Sequence, residues 1–135
     1  MSFCITLFDT LENSTTGDVC FSTSTKNFTL NKGSSYRIIF DLTKSGTVAN
    51  LTGFSFRGQI RPSATSDKVL LEMNSANLLI KSEPTIGRFT LILPESFTRR
   101  VSESYAVYDI ELVDGLGEVS RIVQGLITFI SEVTQ

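Results

Sequence analysis

The sequence predicts an all-β fold: an antiparallel sandwich of about seven to nine strands, with one short helical turn and an N-terminal extension. Three observations carry that expectation. Apolar and polar side chains alternate with period two along most of the chain. Turn residues break the runs at short intervals. The apolar residues are mostly Phe, Ile, Leu and Val, with no Trp, while Ser and Thr are abundant and Ala is scarce. That bias suits a pleated surface better than a helix. At 135 residues, the chain is long enough for one domain with one sizeable core.

Residues 1–26 differ from the rest. Apolar Phe3 to Phe8 leads into a polar stretch, Asp9 to Asp18, and then into Val19-Cys20-Phe21. This segment reads either as a hairpin added to the sandwich or as an arm that packs on a neighbour, and residues 27–135 read as the sandwich itself. If residues 3–8 and 18–22 pair, Cys4 and Cys20 face each other; buried free thiols are the favoured state in a reducing cytoplasm, with a disulfide as the alternative. Met1 to Phe8 lacks the basic flank and small-residue pair of a signal peptide.

The strands follow in order. Tyr36, Ile38, Phe40 and Leu42 share one face. Phe54, Phe56 and Ile60 point inward while Arg57, Gln59 and Arg61 point out, and Gly58 leaves room for a bulky neighbour or marks a bulge. Phe89, Leu91 and Leu93 alternate in the same way, as do Ala106, Tyr108, Ile110 and Leu112. The final run, Glu118 to Val133, carries apolar groups on both sides: Val123, Ile127 and Phe129 on one, Ile122, Leu126 and Ile130 on the other. Such a strand is central, or is covered by a partner on its second face. Turns are expected at Asn31-Lys32-Gly33, Lys44-Ser45-Gly46, Pro62-Ser63, Glu83-Pro84 and Asp114 to Gly117, the last as a hairpin. Pro94 to Thr98 suits one helical turn crossing between sheets.

Composition excludes several functions. Net charge is −2 and the longest basic cluster is Arg99-Arg100, so no field draws nucleic acid or an anionic membrane. No run approaches the roughly 18 apolar residues of a membrane span. Histidine is absent, which removes Ser-His-Asp and Cys-His nucleophiles and the commonest metal ligand. No Gly-rich phosphate loop and no calcium-type acidic spacing appear, and no cofactor is expected. Asp109 and Glu111, two apart on a strand, share a side and are the only candidates for acid–base work on a glycoside. The simpler reading is a polar face, with pairing to Arg57, Arg61 or Arg121. Tyr36, Tyr105 and Tyr108 sit in apolar strand patterns and are expected in the core or at its edge, which leaves no stacking platform for sugars.

The run Asn50-Leu51-Thr52-Gly53-Phe54-Ser55-Phe56-Arg57-Gly58-Gln59-Ile60-Arg61 resembles a signature of small bacteriophage virion proteins, the baseplate upper-protein-like and tail-associated immunoglobulin-like domains. Gly87 to Leu93, Phe97-Thr98, Tyr105 to Leu112, Gly117 to Gly125 and Glu132-Val133-Thr134 follow in the family's order. The resemblance spans residues 27–135 and leaves 1–26 outside. It implies an immunoglobulin-like sandwich, a non-enzymatic part of a tail or baseplate, made in the host cytoplasm and residing in the virion. It supplies no catalytic residues.

The expected role is therefore subunit docking, with other virion proteins and copies of the chain itself as partners. Phe3, Ile5 and Leu7, together with Ile122, Leu126 and Ile130, are the expected contact residues. The alternative is a receptor- or glycan-binding module on a fibre or capsid surface. On the motif itself, Gly53 suits a positive φ where the chain turns into the Phe54 strand, and Tyr108 is expected to bury its ring and find a partner for its hydroxyl.

Overall fold

A computed structural model of the chain describes residues 4–9, 14–15, 19–20, 24–44, 47–48 and 50–131. Two sheets enclose one core. In chain order the strands are β1 (Cys4–Asp9), β2 (Ser14–Thr15), β3 (Val19–Cys20), β4 (Ser24–Thr25), β5 (Phe28–Asn31), β6 (Tyr36–Lys44) and β7 (Thr47–Val48). They continue with β8 (Ser55–Arg61), β9 (Leu71–Asn74), β10 (Ile80–Glu83), β11 (Arg88–Leu93), β12 (Tyr105–Val113) and β13 (Val119–Ile130). A 3-10 turn at Pro84–Ile86 precedes β11, and a short helix, α1 (Glu95–Arg100), follows it.

The first sheet runs β10-β11-β6-β1-β2, with β3 also on β1 and β7 on β6, and all these pairings are antiparallel. The second runs β4-β13-β12-β8-β9, with β5 also on β13. Here the expectation of a wholly antiparallel fold needs correction, because β4 and β5 lie parallel to β13. The reason is the path of the chain. β5 turns at once into β6 of the opposite sheet, so its neighbour β13 arrives only after a long excursion, as a parallel partner requires.

Within residues 1–26, β1 joins the first sheet along β6, with Leu7 opposite Leu42 and Ile5 opposite Lys44, and the chain folds back on it through β2 and β3. Cys4 stands opposite Cys20 in the β1–β3 register. β4 belongs to the other sheet. Phe3, the turn at Ser45-Gly46 and Glu132-Val133-Thr134 lie outside the described residues.

Alternation fills the core as period two demands. Ile38, Phe40 and Leu42 of β6 and Phe89, Leu91 and Leu93 of β11 meet Phe56 and Ile60 of β8, Ala106 to Leu112 of β12, and Phe28 and Leu30 of β5, all buried on alternate positions. Five rings link the sheets in series. Phe56 stacks on Phe89 at 4.6 Å, Phe89 on Phe40 at 4.8 Å, Phe40 meets the edge of Phe28 at 6.3 Å, and Phe28 stacks on Tyr108 at 5.7 Å. Truncating such a buried Phe to Ala costs about 3–5 kcal/mol. Gly58 lies beneath the fully buried Met73: a Cβ there would come within 3.3 Å of Met73 Cε and would strike the Asp109 carbonyl.

The connections match their local chemistry. Asp114 closes the β12–β13 hairpin, its Oδ1 accepting from the Leu116 and Glu118 amides at 2.8 and 2.9 Å. Gly53 adopts φ +87° just before β8. Helix α1 carries the chain from the first sheet to the second, starting at Pro94 in extended conformation, with an ion pair between Glu95 and Arg99 on its exposed side. Its inner side buries Phe97 edge-on to Phe129 and Thr98 against the β5–β6 turn. The Thr98 hydroxyl donates to the Ser34 carbonyl at 2.7 Å and accepts from the Gly33 amide at 3.2 Å.

Candidate binding face

The outer face of the second sheet holds the chemistry the sequence singled out. Because directly paired residues share a face, register sorts it into rows. Gln124, Asp109 and Gln59 make one row, continued by Glu72 of β9. Arg121, Glu111 and Arg57 make the next. Arg57 Nε donates to Glu111 Oε1 at 2.8 Å, and Arg121 Nε lies 3.3 Å from Asp109 Oδ2. The two carboxylates thus face the same way, and each is held by an arginine from a flanking strand. Arg61 instead grips an amide: its Nε and Nη2 both donate to Gln59 Oε1, and its Nη1 donates to the Ser66 carbonyl at 3.0 Å. These side chains, with Thr25 and Ala64 at the margins, line an open cleft of about 840 Å³.

Toward the far end of β12 and β13 the same face turns apolar. Tyr105 is 60% exposed, Ile130 46% and Leu126 39%, with half-buried Val107 paired opposite Leu126. Leu126 and Ile130 therefore stand where the alternation put them. Ile122 does not, being 4% exposed. The β12–β13 register slips at Ile110/Glu111, so that Glu111 pairs with Arg121 but Ile110 with Val123. Ile122 is the extra residue of a β-bulge, and the bulge turns it into the core beside Val123. Ile5 and Leu7 lie in β1 of the other sheet.

Tyr105 also departs from the expectation of a core or core-edge residue. Its position was readable: if Ala106, Tyr108 and Ile110 point inward, Tyr105 points out. Tyr108, by contrast, is buried and donates its hydroxyl to the Lys26 carbonyl at 2.6 Å. This bond passes over Gly125, which pairs with Tyr108, and ties β12 to the β4–β5 edge. The Lys26 amide donates to Gln124 O, and Asn27 Oδ1 accepts from the Leu126 amide, both at 2.9 Å. Gly125 is thus the residue over which three strands are laced.

Among the described residues no group of three or more His, Cys, Asp or Glu is placed to hold a metal ion, and no helix is long and apolar enough to cross a membrane. No protein-family model matches the chain, and no curated protein matches it either.

Proposed function

We propose that the chain is a non-enzymatic structural protein of a bacteriophage virion, a tail or baseplate component whose immunoglobulin-like sandwich docks neighbouring subunits. The observation that carries this reading is the exposed apolar end of the second sheet, where Tyr105, Leu126 and Ile130 stand together on one face. Apolar groups clustered on an outer face favour a protein contact that removes them from water. The family-like runs support it from the sequence side, since four of them overlap β8, β11, β12 and β13. Its partners are other virion proteins and copies of itself, in the symmetric surroundings typical of such assemblies.

Quantitative mass spectrometry of purified particles, with head and tail fractions analysed separately, tests the proposal. The chain is expected in the tail fraction at a fixed multiple of a known tail protein. Its absence from particles refutes the virion reading. Leu126→Glu, which leaves the core untouched, is expected to reduce incorporation sharply while the isolated protein keeps its melting temperature.

A further inference from the structure

We infer that the polar cleft on the outer face of the second sheet is a binding site for an uncharged oligosaccharide. The first support is charge. The lining carries Arg57, Arg61 and Arg121 against Glu72, Asp109 and Glu111, so its formal charges cancel. A phosphate, sulfate or sialic acid would meet three carboxylates as well as the arginines, and a basic peptide would meet the reverse. A neutral polyol meets neither penalty, because every hydroxyl both donates and accepts.

The second support is which atoms are left to bind. Arg61 has only donors, so the Gln59 atom it grips must be the carbonyl oxygen, and the Gln59 amide nitrogen is left to donate into the cleft. Arg57 uses only Nε on Glu111, and its two Nη atoms have no partner among the described residues. The Gln124 and Glu72 side chains likewise make no hydrogen bond among the described residues. Donors and acceptors therefore stand side by side across four strands, at the roughly 5 Å spacing of cross-strand neighbours. The ion pairs fix much of this array before any ligand arrives, which lowers the ordering cost of binding.

The third support is size and margin. About 840 Å³ lies within the range of small-molecule sites, roughly 300–1,000 Å³, and suits several sugar rings. Val107 lines the cleft and gives its margin an apolar surface for the less polar side of a pyranose. The site does not depend on the subunit-docking role: the apolar end can serve assembly whether or not the cleft binds sugar.

The test is binding of the labelled full-length chain to an array of immobilised uncharged, sialylated and sulfated glycans, followed by titration with the strongest uncharged binder. Binding is expected among the uncharged glycans. Its affinity should fall about tenfold or more in Arg57→Met or Gln124→Ala, as loss of one good hydrogen-bonding group implies. Both variants should keep the parent melting temperature to within a few degrees, because the Gln124 side chain makes no hydrogen bond among the described residues and Arg57 is exposed. No uncharged glycan bound, preference for the anionic forms, or affinity within threefold of the parent in both variants would each overturn the inference. Normal incorporation into particles with no glycan bound would sink this site alone and leave the structural role standing.

Discussion

Replacing Gly125 by Ala tests how the N-terminal edge is laced to the second sheet. A Cβ at this position would fall on the Lys26 carbonyl oxygen and 2.7 Å from its carbon, where ordinary contact needs about 3.5 Å. The obstacle is backbone, so no rotamer change relieves it, and the Lys26–Asn27 segment must move away. That movement strains three hydrogen bonds together: Tyr108 hydroxyl to Lys26 O, Lys26 amide to Gln124 O, and Leu126 amide to Asn27 Oδ1. At about 1 kcal/mol net each, their loss costs about 3 kcal/mol, and removing a strand glycine returns about 0.5–1 kcal/mol.

With an unfolding entropy near 2.1 cal/mol/K per residue, 135 residues translate that net loss into a melting temperature lower by about 7–9 °C. Gly115→Ala is the control, since its Cβ meets only the Gly53 carbonyl at 3.9 Å and should change the melting temperature by about 2 °C or less. Thermal unfolding followed by circular dichroism reads both. Tyr108→Phe adds a second check. It should cost about 1 kcal/mol in the parent and less in the Gly125→Ala background, where the bond to Lys26 O is already weakened. A Gly125→Ala protein that melts with the parent, or strictly additive costs, would refute the lacing.

Thr98→Val should destabilise by about 1–3 kcal/mol, because it leaves the Gly33 amide and Ser34 carbonyl without the fully buried hydroxyl between them; urea titration measures it. Leu78 holds φ +65° while 61% exposed, so Leu78→Asn should gain about 1 kcal/mol and raise the melting temperature by about 3 °C. The Glu103 carboxyl is held below the ordinary glutamate range, first by a hydrogen bond from its own backbone amide, then by Lys68 at 3.6 Å and the Ser102 hydroxyl at 3.2 Å. A folded pKa below the unfolded one means its contribution is present above the unfolded value and fades as pH falls through the folded one. Carbon-13 titration of the side chain should show the lowered midpoint, and Glu103→Gln should remove that part of the acid dependence.

What the sequence made legible was local. The runs Tyr36 to Leu42, Phe89 to Leu93 and Ala106 to Leu112 declare their buried faces because pleating enforces period two within a single strand. Asp114 declares its hairpin because its carboxylate serves two loop amides. Asp109 and Glu111 could be assigned to one face with arginine partners, and Arg57 and Arg121 are those partners, whereas Arg61 takes an amide.

What stayed hidden depends on pairing between distant segments. Nothing within Ser24 to Asn31 announces that it will lie parallel to β13. The slip at Ile110/Glu111 lives in a register between two strands, so alternation along β13 alone sends Ile122 to the wrong side. The cleft draws on β4, β8, β9, β12 and β13, and no run of adjacent residues contains it.

The parallel edge also sets a clock. β4 and β5 pair, among the described residues, with β13 and no other strand, so their backbone edge has no strand to pair with until Val119 to Ile130 leaves the ribosome. Everything from Lys32 to Glu118 is made in that interval, which at roughly 5–20 residues per second lasts on the order of 5–20 s. The second sheet therefore cannot zip up from its beginning as the chain emerges. β8, β9 and β12 can pair with one another as they emerge, but β4 and β5 join them only through the last strand, and any delay or shortfall in delivering β13 leaves that edge of the sheet open.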